Sequence, residues 1–66
     1  MLITLNGEEK ELINEISLND LIENLGFNPQ GVVAQLNHEV IDRDKFNLVI
    51  LKNGDKLELV RLVGGG

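Results

Sequence analysis

The spacing of apolar residues in one part of the chain predicts an amphipathic helix. Four leucine and isoleucine side chains recur at i, i+3, i+4 and i+7 and therefore share one helical face: Leu18, Leu21, Ile22 and Leu25. Ser17 is a favourable N-cap, and Asp20 three residues later is typical of a capping box. Gly26 is typical of the residue that follows the end of a helix. We therefore expect a helix in residues 17–25 that lies on a sheet.

The other apolar segments predict five short strands. They lie in residues 1–5, 8–13, 32–36, 48–51 and 57–63. Asn6-Gly7 and Asn53-Gly54 each stand between two of these segments, and Asn-Gly favours a two-residue hairpin turn because both positions take positive φ. The second segment is rich in glutamate, which is typical of an edge strand. Together these elements predict an α+β fold, in which one main helix packs across a mixed sheet of about five strands.

Strand alternation assigns side chains of the first and last strands to the core. The inward positions are Met1, Ile3 and Leu5 in the first strand and Leu57 and Leu59 in the last. The same alternation places Glu58 and Val60 on the outer face. Phe46 ends a segment typical of a turn or a single helical turn, and its ring is large enough to close one edge of the core.

Length and composition narrow the possible functions. The 66 residues are enough for one small domain, which we assign to residues 1–63, with residues 64–66 as a flexible glycine tail. Without cysteine and with a single histidine, the chain cannot form disulfides, thiolate metal sites or a cysteine nucleophile. A net charge of −5 disfavours nucleic acid and anionic membranes. The N-terminal segment lacks the pattern of a signal peptide or anchor, so we expect a cytoplasmic monomer that docks on other proteins.

Two groups of titratable residues have a functional and a simpler interpretation. His38 beside Glu39 has the chemistry of a proton-transfer pair or of half a metal site, but a solvated turn accounts for it. Four nearby glutamates have oxygen ligands for a divalent cation, but a charged edge strand accounts for them: Glu8, Glu9, Glu11 and Glu15. We therefore predict no metal site and no catalytic side chain.

The glycines at positions 64, 65 and 66 follow directly on strand residues. Glycine has no side chain to pack and loses the most backbone entropy on folding, so these residues contribute nothing to the stability of the domain. What they offer is the carboxylate of Gly66 on a thin thread formed by Gly64 and Gly65. A side chain would obstruct passage of such a thread through a narrow channel, and glycine avoids that obstruction. The alternative is a chain end without a function.

The chain resembles the ubiquitin-like β-grasp proteins, and more closely the ThiS family of bacterial thiamine-pathway sulfur carriers. The matching pieces are the opening Met-x-Ile-x-Leu-Asn, the helix pattern Leu-x-x-Leu-Ile-x-x-Leu, Gly31-Val-Val-Ala-Gln-Leu-Asn37, Ile41-x-Arg43 leading to Phe46, Gly54-Asp55 and the terminal glycines. Two turn residues depart from the family pattern: His38 replaces the usual glycine, and Asp42 a common proline. The resemblance implies that the first and last strands lie side by side and parallel at the centre of the sheet.

The resemblance also implies a mechanism in which the chain is a carrier and not an enzyme. An adenylyltransferase uses ATP and Mg²⁺ to convert the Gly66 carboxylate to an acyl-adenylate. A persulfide supplied through a cysteine desulfurase then displaces AMP and leaves a thiocarboxylate. Thiazole synthase uses that sulfur to build the thiazole ring of thiamine. The carrier itself binds no cofactor in this scheme.

Apolar side chains next to the glycines predict a docking patch for these partners. Val60, Leu62 and Val63 adjoin the reactive end, and at least one of them is expected to be exposed. The alternative is ordinary scattered surface hydrophobicity.

Other functions remain open at this stage. The small subunit of molybdopterin synthase resembles the chain in fold and in its Gly-Gly end, although such chains tend to be longer. An RNA-associated β-grasp module is disfavoured by the negative charge and by an aromatic content of only two residues, Phe27 and Phe46. A β-grasp ferredoxin is excluded because the chain has no cysteine.

Overall fold

A computed structural model describes residues 1–62 and contains five strands and one α-helix there. The strands are β1 Leu2–Leu5, β2 Glu8–Glu11, β3 Val32–Leu36, β4 Glu39–Ile41 and β5 Lys56–Arg61, and the helix is α1 Leu18–Asn24. Two 3₁₀ turns span Pro29–Gly31 and Arg43–Lys45. The strand order is β2-β1-β5-β3-β4, with β1 and β5 parallel and every other pair antiparallel. The α+β prediction and the parallel pairing of the terminal strands are confirmed.

The two ends of α1 carry the caps that the sequence predicts. The Asp20 amide donates to Ser17 Oγ over 3.0 Å, which satisfies one of the free N–H groups of the first turn. Gly26 has φ +89°, a conformation that glycine adopts without a Cβ clash. Its amide donates to Glu23 O over 2.9 Å and the Phe27 amide to Ile22 O over 3.1 Å, the two bonds of a Schellman motif. The predicted helix is confirmed.

The core lies between α1 and the sheet face toward which Leu57 and Leu59 point. Its buried members come from the strands, the helix and the loops: Ile3, Leu12, Leu18, Leu21, Ile22, Val32, Ala34, Phe46, Leu51, Leu57 and Leu59. Met1, Leu5 and Leu25 are partly buried and pack against this cluster. The Phe46 side chain is only 1% exposed, so its predicted place in the core is confirmed.

The predicted fourth strand in residues 48–51 is wrong. The strand that pairs with β3 is β4, joined to it by a two-residue turn in which Asn37 and His38 have φ of 51° and 71°. Residues 48–51 instead run beside the start of α1, where the Leu18 amide donates to Val49 O and the Leu51 amide to Ile16 O. Leu51 of this segment is buried in the core, and the segment does not pair with a strand of the sheet.

The predicted hairpin at Asn53-Gly54 is also wrong. No strand of the described chain precedes this turn directly, and its hydrogen bonds reach β1 instead. The Leu2 amide donates to Asn53 Oδ1 over 2.7 Å, and the Gly54 amide donates to Leu2 O over 2.8 Å. Asn6-Gly7 does form the predicted turn, with φ of 49° and 84°.

In the described residues, no helix is long and apolar enough to cross a membrane.

Candidate functional site

The end of β5 is bonded on both sides by neighbouring segments. On one side the Leu59 amide donates to Asn6 Oδ1 over 2.8 Å, and on the other the Leu62 amide donates to Gly31 O over 2.8 Å. Leu62 is the last residue that the structure describes. The predicted site residues Val63, Gly64, Gly65 and Gly66 lie outside the described residues. The structure therefore shows the place from which the chain continues toward the predicted reactive carboxylate.

Asn6 has a role that its sequence signal did not reveal. The Asn-Gly pair predicts only a turn, and Asn6 forms that turn with φ 49°. Its backbone amide also donates to Leu57 O over 2.9 Å, and its side chain accepts the Leu59 amide. Asn6 thus continues the pairing with β5 beyond the last residue of β1, so that the Leu59 amide is not left without a partner.

The last residue of β5 keeps the strand alternation. Arg61 stands opposite the buried Val32 and therefore on the helix-side face, but its side chain lies at the margin of the core and is exposed. The guanidinium carbon lies 5.3 Å from the centroid of the Phe27 ring, within the range of a cation–π contact. This contact ties the strand end to the segment that follows α1.

The helix-free face of the sheet carries an exposed apolar surface beside the end of β5. Val60 is 60% exposed and Leu62 51% exposed, which confirms the outward position of Val60. Val33 lies directly opposite Val60 in the β3–β5 register, and Val40 on β4 is a diagonal neighbour of Val33 on the same face. We call Val33, Val40, Val60 and Leu62 the open-face patch. The sequence indicated Val60 and Leu62, but Val33 and Val40 join them only through strand pairing.

The net charge of the protein lies in its first 25 residues, which contribute no member of the open-face patch. Residues 1–25 contain six acidic residues and one basic residue, whereas residues 26–66 contain five of each. The acidic residues of the first group are all exposed: Glu8, Glu9, Glu11, Glu15, Asp20 and Glu23. They lie on β2, on the loop after it and on α1, which together we call the acidic half. Residues 26–66, which contain the open-face patch, are neutral overall.

His38 and the acidic residues form no cluster of three or more possible metal ligands among the residues described. His38 is exposed in the β3–β4 turn, as the sequence predicts, and Glu39 beside it begins β4. Residues 1–62 bring no three histidine, aspartate or glutamate side chains together in an arrangement for a metal ion. Asp42, the other departure from the family pattern, precedes the 3₁₀ turn Arg43–Lys45.

Comparisons with known proteins identify relatives of the whole chain. The model of the ThiS family matches residues 3–66. The crystal structure of the thiamine biosynthesis protein (ThiS) from Geobacter metallireducens superposes with a TM-score of 0.85 at 29% identity, with 100% of both chains covered. The ycf40 protein of Trieres chinensis is 34% identical over 62 residues, which cover 94% of this chain and 85% of the relative.

A longer relative has a different name. The thiazole synthase of Magnetococcus marinus is 36% identical over 66 residues, which cover 100% of this chain and 20% of that protein. The chain therefore spans about a fifth of the length of this relative. A module of this kind thus occurs within a polypeptide named for thiazole synthesis.

Proposed function

The chain belongs to the ThiS family, and we propose that it is a sulfur carrier for thiazole formation in thiamine biosynthesis. The family match over residues 3–66 carries this proposal, because it includes the glycine end as well as the β-grasp domain. The names of the relatives favour this acceptor pathway over that of molybdopterin synthase. Intact-protein mass spectrometry tests the proposal, since exchange of one carboxylate oxygen for sulfur adds about 16 Da.

The chemistry takes place at the main-chain carboxylate of Gly66. A carboxylate is a poor acyl donor, because its leaving group is an oxide. Attack of a carboxylate oxygen on the α-phosphorus of ATP releases pyrophosphate and creates a good leaving group, AMP. The terminal sulfur of a persulfide then displaces AMP, and a thiol cleaves the resulting acyl disulfide to release the thiocarboxylate. An adenylyltransferase with Mg²⁺ performs the first step, and a cysteine desulfurase supplies the sulfur.

The carrier contributes recognition and reach to this sequence of steps. Its described residues offer an apolar surface beside the strand end that leads to the glycines. Glycines 64 and 65 add no side chains, and three residues in extended conformation would span about 10 Å at about 3.3 Å each. Acid–base chemistry and nucleotide binding belong to the partner enzymes.

Thiazole synthase is the acceptor that the comparisons support. A protein of that name contains a segment related to the whole of this chain. Two functions combined in one polypeptide benefit from a high effective concentration of one for the other. We therefore propose that the separate chain delivers its sulfur to thiazole synthase.

A charge in the open-face patch is expected to weaken docking on the adenylyltransferase. Val60→Asp places a carboxylate in a surface that becomes desolvated in the complex, and we expect KM for the carrier to rise about tenfold or more. Leu62→Asp is expected to act in the same way. The measurement is the initial rate of pyrophosphate release at varied carrier concentration.

Leu48→Asp is the matched control for the docking prediction. Leu48 is 76% exposed but lies outside the patch, so the same substitution there should leave KM unchanged. Thermal unfolding of all three variants should match the wild type, because each position is exposed. A wild-type KM for both Val60→Asp and Leu62→Asp contradicts a role of the patch in docking.

The acidic half is expected to speed association with a basic surface of the adenylyltransferase. The double variant Glu11→Gln and Glu15→Gln should lower the association rate constant about two- to threefold at low salt, and the difference should vanish at about 0.5 M salt. Stopped-flow fluorescence of a labelled carrier measures this rate. Glu39→Gln with Asp44→Asn removes the same charge from the neutral part of the chain. An equal loss in that control shows that total charge matters and its position does not.

A further inference from the structure

We propose that Arg43 is a positioning residue for the reactive chain end, because it orients the segment to which the end of β5 is bonded. The effect on sulfur transfer rests on the function proposed above, whereas the effect on the strand end does not. Arg43 lies far from the glycines in the sequence, and within the described residues its side-chain hydrogen bonds go to backbone carbonyl groups outside the open-face patch.

The Arg43 side chain bonds to the first residue of the 3₁₀ turn Pro29–Gly31 and to Val32, which directly follows the turn. Its Nε donates to Pro29 O over 3.0 Å and its Nη2 to Val32 O over 2.8 Å. The planar guanidinium presents its donors at a fixed angle, so two simultaneous bonds define the orientation of both carbonyl groups. A lysine ammonium has no such fork and is not equivalent here.

Gly31 lies between the two residues that Arg43 binds, Pro29 and Val32. Its carbonyl oxygen accepts a hydrogen bond from the Leu62 amide over 2.8 Å. The Gly31 amide donates to Asn28 O within the turn over 2.8 Å and therefore does not form a second bond to Leu62. One hydrogen bond thus joins the last described residue to a glycine, whose backbone is intrinsically the most mobile. Arg43 restrains the residues on either side of that glycine.

The turn that carries Arg43 is anchored in the core through Phe46. The turn Arg43–Lys45 ends at Phe46, whose amide donates to Arg43 O over 3.2 Å and whose side chain is 1% exposed. The position of the guanidinium is therefore tied to the core. Hydrogen bonds thus link the buried Phe46 to Arg43, Arg43 to the segment around Gly31, and Gly31 to Leu62. Through these bonds the packed core restrains the last described residue.

The direction of Leu62 matters for the chemistry of the carrier. While the open-face patch is docked on an enzyme, the residues beyond Leu62 have to bring the Gly66 carboxylate to the reacting phosphorus or sulfur. A displacement of about 1 Å at a reacting group costs about 100-fold in rate. An unrestrained strand end samples more directions, so a smaller fraction of docked carriers has the carboxylate in place.

The test compares Arg43→Met and Arg43→Lys with Lys45→Met. Lys45 lies in the same turn and makes no side-chain hydrogen bond among the described residues, so Lys45→Met removes the same charge without these contacts. For Arg43→Met we expect amide exchange of Leu62 to be about tenfold faster, with the Leu59 amide unchanged, because Leu59 is bonded to Asn6. We expect kcat for thiocarboxylate formation to fall about tenfold and KM to stay within about twofold. Arg43→Lys should be intermediate and Lys45→Met like the wild type.

Other outcomes overturn the proposal. Equal acceleration at Leu62 and Leu59 shows a general loss of stability instead of a local effect. Wild-type kcat together with fast exchange at Leu62 shows that the strand end needs no positioning. If the wild-type chain accepts no sulfur from active partner enzymes, the proposed sulfur-carrier function is wrong. The role of Arg43 is tested independently of that result, because an unchanged rate of Leu62 amide exchange in Arg43→Met overturns it.

Discussion

Deletion of Gly66 is expected to abolish the conversion of the chain to a thiocarboxylate. The wild-type chain, incubated with its adenylyltransferase, ATP, Mg²⁺ and a sulfur donor, should gain about 16 Da in intact-protein mass spectrometry. The shortened chain should gain nothing, because its carboxylate lies one residue short of the reacting phosphorus. A chain extended beyond Gly66 should also remain unchanged, because the glycine carboxylate is then part of a peptide bond.

Side-chain variants provide the control for this experiment. His38→Ala removes the only histidine of the chain from an exposed turn and should leave the gain in mass intact. Proper folding of the shortened chain is checked by its thermal unfolding, since the five-stranded sheet that the structure describes lies within residues 1–62. An unchanged mass of the wild-type chain, with enzymes that are active on another carrier, contradicts the proposed function.

Phe46→Ala is expected to have the largest effect on stability. The side chain is 1% exposed, and replacing a buried phenylalanine by alanine costs about 3–5 kcal/mol through lost burial and the cavity that remains. A domain of 66 residues has a free energy of unfolding of about 3–10 kcal/mol. The variant should therefore be partly or largely unfolded at 37 °C, as measured by urea titration and circular dichroism.

Leu48→Ala is the control for the effect of Phe46. Leu48 lies two positions further on and is 76% exposed, so the free energy of unfolding should change by less than about 0.5 kcal/mol. A Phe46→Ala variant with the urea midpoint of the wild type contradicts the assignment of Phe46 to the core. Phe46→Ala should also accelerate amide exchange at Leu62, because the turn that carries Arg43 then loses its anchor in the core.

The elements that depend on near neighbours in the chain could be predicted from the sequence. The helix follows from the spacing of Leu18, Leu21 and Ile22 together with its caps, and the turn at Asn6-Gly7 follows from the left-handed tolerance of both residues. The inward positions in β1 and β5 follow from a period of two. Each of these signals lies within a few residues, where backbone geometry is local.

The elements that depend on contacts across the chain could not be predicted in this way. Residues 48–51 have the apolar composition of a strand, but packing beside α1 competes with pairing in the sheet, and β4 takes the place beside β3. Strand register brings Val33 and Val40 to Val60, and no local pattern encodes that register. The bonds of Arg43 to Pro29 O and Val32 O join segments that are adjacent only after folding. The sequence alone thus determined the helix, the first turn and the glycine end, whereas tertiary packing decided the edge strand β4, the composition of the open-face patch and the hydrogen bonds of Arg43.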